Sequence, residues 1–533
     1  MTADLILTNG RIYTVDPARL WAGAVACRDG RILAVGDESD IGALAGAATR
    51  VIDCGGRLVT PGLTDAHVHF QAYAMRRRQV NLFGLTDPAL VRERLAEAVA
   101  QARPGEWVQG TGWDSNHWDI QPTAELIDDI SPHNPVALAR MDMHTWWANS
   151  RAMAIAGVTA QTPDPAEATI GRYADGRPTG LFSEWNAIAL IEGHIPQPDD
   201  GTLRDWFIET IAEAHSLGLT GIHDQRMERE GQRSLRLFQS LRREGELGLR
   251  IHCNVAADFL AEAARLGLEG GFGDDNLWLG HMKAFADGAM GSATAHMLEP
   301  YHGQPGNTGI VVTPPDELWR LAVDAADAGF PISVHAIGDR AVREVLDVMV
   351  EWATTRAPGD LPMPHRIEHL QLMHPDDLGR AAAHGIFGSV QPVHLQSDWR
   401  TADRVWGDRS RYAYAFRSLL DSGTPLAFGS DAPVAQLNPM PGIYAAVTRQ
   451  DEAGEPAGGW YPQERLTVAE TLEGYTLGPA RLSGKADRFG SITPGKYADM
   501  VVLSQNLFDI DPAAIPATTA WLTVFDGRVV YEG

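Results

Sequence analysis

Five short apolar segments of this chain each end close to a residue that can bind a metal ion. The first, residues 58–69, ends in His67 and His69, which are separated by one valine. Side chains alternate between the two faces of a β-strand, so both imidazoles of this pair would point to one place. A His-x-His pair alone arises often by chance. The four later segments support metal binding by this pair because they share its form.

The later segments place their candidate ligands near the same end of a β-rich stretch. Their ranges and ligands are 280–288 with Lys283, 330–340 with His335, 365–370 with His369, and 425–433 with Asp431. Helix-like stretches follow them, such as residues 340–350. Strands that alternate with helices favour a parallel sheet. In a (β/α)8 barrel the carboxyl ends of the strands meet at one face, where catalytic residues lie.

Taken together, these segments resemble the amidohydrolase superfamily of metal-dependent hydrolases. Its pattern is a His-x-His on the first barrel strand, a lysine or glutamate on the fourth, histidines on the fifth and sixth, and an aspartate on the eighth. Six residues follow that pattern in chain order: His67, His69, Lys283, His335, His369 and Asp431. The local phrases resemble the amidohydrolase 3 branch, which includes N-substituted formamide deformylases; they are residues 60–69, 283–292, 335–341, 366–369, 389–394 and 429–433.

The resemblance covers nearly the whole chain and implies a (β/α)8 TIM barrel with two additions. Both chain ends are β-rich, which suggests that they pair into one composite β-sandwich domain, expected at residues 1–58 and 486–533. The barrel is expected at 59–75 and 205–485. About 130 residues separate the first two barrel strands, far more than a βα unit needs. We therefore expect an inserted subdomain, 76–204, over the active-site mouth.

Two turn signals predict hairpins near the N-terminus. Asn9-Gly10 separates two β-like runs within residues 5–15, and Asp29-Gly30 does the same within 26–35. Both dipeptides accept the positive φ angles of a type I′ turn. Each signal therefore predicts two antiparallel strands joined by a tight turn.

The candidate ligands suit zinc or a similar divalent ion, because they are imidazoles and a carboxylate. In this superfamily a lysine on the fourth strand can react with CO2 to form an anionic carbamate that bridges two metals. The resemblance therefore implies a binuclear site, with His67, His69 and Asp431 on one metal and His335 and His369 on the other. Members with a single metal also exist, so one or two ions per chain are expected. The alternative for Lys283 is an unmodified amine paired with Asp287 or another acid.

Asp431 is the candidate catalytic residue. A metal lowers the pKa of bound water from about 15.7 to about 7, and Asp431 could accept the proton and pass it to the leaving group. Its alternative role is structural, as a helix cap. Six other residues are candidate substrate contacts, each with a structural role as the alternative: His144, Trp113, Asp114, Glu184, Gln391 and His394.

Composition and charge exclude other classes of protein. The net charge of −25 disfavours nucleic acid and anionic membranes as partners. The three cysteines are scattered and form no Cys-x-x-Cys pair, which argues against a disulfide framework and a thiolate zinc site. The N-terminus lacks the pattern of a signal peptide, and no run of about 18 apolar residues occurs. These features predict a cytoplasmic protein, and the family resemblance implies an enzyme with a small-molecule substrate; a homo-oligomer is left open.

The function predicted is hydrolysis of a C–N bond in an amide, formamide or related small molecule. Two alternatives remain at this stage. One keeps the metal and changes the reaction to deamination, ester hydrolysis, or a lyase or isomerase step. The other is a catalytically silent regulatory protein, against which the intact set of six site residues argues.

Overall fold

The computed structural model describes residues 2–115, 118–141, 145–166, 168–226, 230–355 and 361–533. The chain forms two compact units, one of Met1–Tyr73 with Asp205–Gly533 and the other of Ala74–Arg204. Three β-sheets belong to the first unit and one six-stranded sheet to the second. Within the described residues, every helix is too short or too polar to cross a membrane.

Eight parallel strands of the first unit form a (β/α)8 barrel, which confirms the predicted fold class. The strands, labelled β1 to β8, are Leu63–Val68, Leu219–Asp224, Arg250–Ala256, Leu277–Phe285, Ile332–Ala336, Arg366–His369, Phe387–Val390 and Leu426–Phe428. Each strand pairs with the next in chain order. A parallel bridge between Val68 and Ala432 closes the barrel between β1 and β8. The chain order of the strands thus places the first and last candidate ligands side by side.

Hydrogen bonds fix the closing seam. The Asp431 N–H donates to the His67 carbonyl at 2.7 Å, and the His69 N–H donates to the Ala432 carbonyl at 2.8 Å. Residues of β1 are all buried, as are those of β8. Strands buried on both faces read as apolar runs, which is why the sequence shows them clearly.

Helices follow the barrel strands, and one of the longest shows the apolar spacing that favours them. In Asp339–Thr355 the buried residues Val342, Val345, Leu346 and Met349 recur at helical spacing. The α-helices of this unit, with those that cross its boundary, are Glu38–Gly42, Phe70–Arg76, Asp200–Ser216, Arg233–Glu244, Leu260–Arg265, Pro315–Asp327, Asp339–Thr355, Arg380–Ala383, Leu395–Trp406, Phe416–Asp421, Pro439–Thr448, Val468–Gly474 and Leu477–Leu482. Short 3-10 helices are Ala257–Phe259, Pro375–Asp377, Pro392–His394, Gly407–Tyr412, Pro462–Glu464 and Pro512–Ala517.

The two chain ends form the composite β-sandwich, as predicted. One sheet has the order Arg31–Gly36, Ala24–Arg28, Leu5–Thr8, Arg50–Asp53. The other mixes both ends, in the order Arg528–Glu532, Ala520–Phe525, Met500–Leu503, Leu58–Pro61, Arg11–Tyr13, Trp21–Ala22. Val501 pairs antiparallel with Thr60. Leu7, Val502 and Leu522 share one buried core, so neither end could bury its apolar face alone.

One of the two predicted hairpins is present and the other is wrong. Asp29 and Gly30 have φ angles of 49° and 76°, and they join two antiparallel strands. The strands on either side of Asn9-Gly10 lie in different sheets instead. Leu5–Thr8 pairs with Arg50–Asp53, and Arg11–Tyr13 pairs with Leu58–Pro61. A turn signal specifies a change of direction, whereas the partner of each strand depends on distant segments.

The second unit contains a sheet of its own with short helices. Its strand order is Thr169–Arg172, Pro178–Ser183, Thr145–Ala148, Val136–Arg140, Val108–Trp113, Val80–Asn81. Its helices are Pro88–Gln101, Glu125–Asp128, Ser150–Ile155 and Trp185–Glu192. Asp87 caps the first helix by accepting from the Ala89 N–H. Trp113 and Trp147 are buried in one apolar core of this unit.

Candidate metal centre

Four histidines and an aspartate converge at the carboxyl ends of the barrel strands. The Oδ1 atom of Asp431 lies 3.3 Å from Nε2 of His67 and 3.4 Å from Nε2 of His69. The ring centroid of His369 lies 4.9 Å from that of His67 and 4.5 Å from that of His335. The structure thus brings together all five of these predicted ligands, which come from β1, β5, β6 and β8.

Two trios of side chains in this cluster have the spacing that a metal ion needs. His67, His69 and Asp431 form one trio, and His369, His394 and Asp431 form the other. Within each trio the candidate ligand atoms lie within 4.8 Å of one another. Asp431 belongs to both, so its carboxylate lies at the centre of the site.

Hydrogen bonds to the outer nitrogens set the imidazole tautomers. His67 donates from Nδ1 to Oε2 of Glu368 at 2.6 Å, and His369 donates from Nδ1 to Oε1 of Gln391 at 2.8 Å. In its neutral state each of these rings therefore keeps a lone pair on Nε2. His335 differs, because its Nε2 donates to the Gly288 carbonyl at 2.9 Å and leaves Nδ1 free to bind. Such contacts orient metal-binding histidines in proteins generally.

Burial and charge set the protonation of these rings. Burial lowers the pKa of His335 to about 4, with the Lys283 ammonium adding to the effect. Burial also lowers the pKa of His369 well below its ordinary value. Both rings are therefore neutral at pH 7, as ligands must be. For His67 burial lowers the pKa, but the carboxylates of Asp431 and Glu368 outweigh it and raise the pKa overall.

Lys283 is a buried amine without a hydrogen-bond partner among the described residues. Burial lowers its pKa to about 8, although the carboxylates of Glu368 and Asp431 oppose this. Pairing with Asp287 is wrong, because that carboxylate accepts the backbone N–H groups of Ile337, Gly338 and His296 instead. A buried polar group without a partner requires an explanation.

The backbone around the candidate ligands lets the His67 segment and the Asp431 segment lie close together. Asp431 and His369 have positive φ angles of 59° and 70°, which residues other than glycine rarely adopt. A Cβ on Gly429 would lie 2.5 Å from the His67 backbone nitrogen, so the residue that follows β8 must be glycine. The buried Asp65 accepts the N–H groups of His67 and Ser430, both at 3.0 Å. These contacts hold the His-x-His segment against the strand that carries Asp431.

The other predicted contacts fall into two groups. Gln391 and His394 lie at the cluster, and Nε2 of His394 is 4.0 Å from Oδ2 of Asp431. The remaining four belong to the 74–204 segment and stay predictions. Trp113 is buried and donates to the Leu138 carbonyl at 2.8 Å, and Asp114 accepts from Arg140 at 3.1 Å. Glu184 has a φ of 68° before a helix, and His144 lies outside the described residues.

Sequence reasoning missed Glu368, Arg366 and Asp65, which are buried beside the ligands. A usable signal was present. Glu368 and Arg366 alternate along β6, and Asp65 precedes His67 by two residues on β1. Charged residues at alternate positions of a fully buried strand must have buried partners.

Comparison with known proteins agrees with this geometry. The model of the amidohydrolase family matches residues 50–531. The protein LONG AFTER FAR-RED 3 of Arabidopsis thaliana is 35% identical, over 96% of this chain and 88% of its own length. The N-substituted formamide deformylase of Arthrobacter pascens is 29% identical, over 99% of this chain and 98% of its own length.

A solved structure is similar over the whole fold. An uncharacterized metal-dependent hydrolase from Pyrococcus horikoshii OT3 superimposes with a TM-score of 0.79 at 26% identity, covering 95% of this chain and 99% of that one. The family match spans the barrel strands that carry the clustered ligands. The chain therefore belongs to the amidohydrolase family of metal-dependent hydrolases.

Proposed function

We propose that this chain hydrolyses a C–N bond in an amide, formamide or related small molecule, using one or two zinc ions. The observation that carries the proposal is the cluster of four imidazoles and Asp431, together with the buried amine of Lys283, which has no hydrogen-bond partner among the described residues. A catalytically silent scaffold has no physical need for this set, since a buried lysine amine without a hydrogen bond destabilises a fold.

The donor set fits divalent metal. His67, His69 and Asp431 would hold one ion, His335 and His369 a second, and a carbamate on Lys283 would supply a shared anion. Zinc bound there would act as a Lewis acid and bring the pKa of a coordinated water to about 7. The outer contacts to Glu368, Gln391 and Gly288 hold the imidazoles in the tautomers that binding requires.

We assign the proton transfer to Asp431. Burial alone would raise the pKa of its carboxyl, but the His67 and His69 rings hold it well below its usual value. The group is therefore a carboxylate at neutral pH and can accept a proton from the attacking water. Its Oδ2 lies on the side of His394, away from the two histidines that Oδ1 contacts. The same carboxyl can then protonate the departing nitrogen.

The choice of a C–N bond is supported by the formamide deformylase relative, which aligns over nearly the entire chain. The test is a panel of N-substituted formamides, amides, cyclic amidines and esters with the zinc-loaded enzyme. Amine release, ammonia release and acid release are measured separately, and Asp431→Asn is the background control. Stoichiometric amine and acid from a formamide or amide would support the proposal. Ammonia from amidines alone, turnover of esters alone, or no turnover by a fully zinc-loaded protein would contradict it.

A further inference from the structure

Glu368 is a fully buried carboxylate that contacts a candidate ligand from behind. It lies on β6, one residue before His369. Its Oε2 accepts the His67 Nδ1–H at 2.6 Å, and its Oε1 accepts the Ser333 hydroxyl at 2.5 Å. The carboxylate thus joins β1, β5 and β6 behind the His67 ring.

A buried arginine balances the charge of this carboxylate. Arg366 is fully buried and donates from Nη2 to Oε2 of Glu368 at 3.0 Å. The same guanidinium donates to the Ala66 carbonyl and the Ser389 hydroxyl, both at 2.7 Å, and to Nδ1 of His223 at 3.0 Å. It therefore links β6 to β1, β7 and β2. The pair is held on several sides, which fixes where the carboxylate meets the His67 ring.

An ion pair buried this deeply is poor evidence for stability alone. Desolvation of two charges opposes their attraction, and well-packed apolar residues are often as stable or more so. The interior of a (β/α)8 barrel is usually filled by branched apolar side chains. A charged pair at this position is better explained by the hydrogen bond through which Glu368 orients the His67 ring.

We infer that Glu368 is the positioning residue of the metal centre, with Arg366 holding it in place. The carboxylate fixes the His67 tautomer and makes Nε2 a stronger donor toward the metal. This inference rests on the proposed function, since it takes His67 as a ligand. Loss of such an outer contact typically weakens metal binding about 10–100-fold.

The test measures zinc affinity by competition with a chelator, together with thermal unfolding of the zinc-free protein. Glu368→Gln removes the charge at nearly constant size. Glu368→Asp keeps the negative charge but moves the carboxylate away from the His67 ring by one methylene. We expect zinc binding to weaken about 10–100-fold in Glu368→Gln and to weaken in Glu368→Asp as well.

A matched control is available in the same unit. Asp499 and Arg250 form another buried ion pair, with N–O distances of 2.9 and 3.0 Å and side chains only 5% and 3% exposed. Arg250 is the first residue of β3, at the opposite end of the barrel strands from the ligands. Asp499→Asn should lower Tm and leave zinc affinity unchanged.

The outcomes separate the inference from the proposed function. Wild-type protein that binds no zinc contradicts the metal assignment itself. Tight zinc binding by wild type with equal binding by a folded Glu368→Gln or Glu368→Asp overturns the role of Glu368. Equal loss of zinc by Asp499→Asn also overturns it, because general destabilisation would then explain the effect. If Glu368→Gln does not fold, Glu368→Asp decides.

Discussion

Replacing Lys283 with methionine should stabilise the metal-free protein, although it removes a residue that the proposed metal centre needs. The Lys283 amine is buried and has no hydrogen-bond partner among the described residues. Burial is the main reason that its pKa falls from 10.5 to about 8. A shift of this size means that the charged amine costs about 3 kcal/mol at neutral pH. Methionine has a similar length and carries no charge, so Lys283→Met should recover much of that free energy.

The sign of the effect gives it a pH signature. The folded protein binds the Lys283 proton less tightly than the unfolded chain does, so unfolding takes up a proton between about pH 8 and 10.5. The wild-type free energy of unfolding therefore gains from this group as pH rises through that window. The advantage of Lys283→Met should be full at pH 7, shrink above pH 8 and vanish near pH 10.5.

Urea unfolding of zinc-free protein in CO2-free buffer, at pH 7 and pH 10, measures this difference. Lys485→Met is the matched control, because Lys485 is 20% exposed and pairs with Asp275 at 3.0 Å. That variant should be no more stable than wild type at either pH. A Lys283→Met protein that is less stable than wild type at pH 7, or whose advantage is the same at both pH values, would refute the reasoning. With zinc and bicarbonate present, the order should reverse, since only wild type can bind both ions.

Three further outcomes are expected. Asp431→Asn should keep most of its zinc, by elemental analysis, and lose turnover by about 10²–10⁴-fold; near-wild-type turnover would place the proton transfer on another residue. Gly429→Ala should destabilise the fold by about 1–3 kcal/mol and reduce zinc content, because the new Cβ would lie 2.5 Å from the His67 nitrogen. Gly42→Ala, which meets nothing within 4 Å, is its control and should leave both values unchanged. The double variant His67→Ala/His69→Ala should lose zinc, and full zinc content in it would refute the ligand assignment.

The barrel could be predicted because its strands are buried on both faces. Such strands appear in the sequence as apolar runs, and five of them end close to a residue with ligand chemistry. The strand period places His67 and His69 on one side, and the parallel order brings Asp431 beside them. The resemblance to a known family supplied the pattern that connects these segments. The composite sandwich followed from the β-rich character of both ends.

Partnership between distant strands was harder to predict. The Asn9-Gly10 signal is as strong as that of Asp29-Gly30, but only the second forms a hairpin. The local sequence favours a turn in both cases. Which strand lies beside Leu5–Thr8 depends on residues that are more than forty positions away in the chain, such as Arg50–Asp53.

The sequence by itself supplied the candidate metal-binding residues and their chain order, because strand periodicity and the resemblance to the amidohydrolase superfamily can both be recognised without a structure. The tertiary structure decided how those residues are held. It placed Glu368 behind His67, Gln391 behind His369 and the Gly288 carbonyl behind His335. It also left the buried Lys283 amine without a hydrogen-bond partner among the described residues. Contacts between strands that are far apart in the chain carry no local signature, since each depends on the closure of the whole barrel.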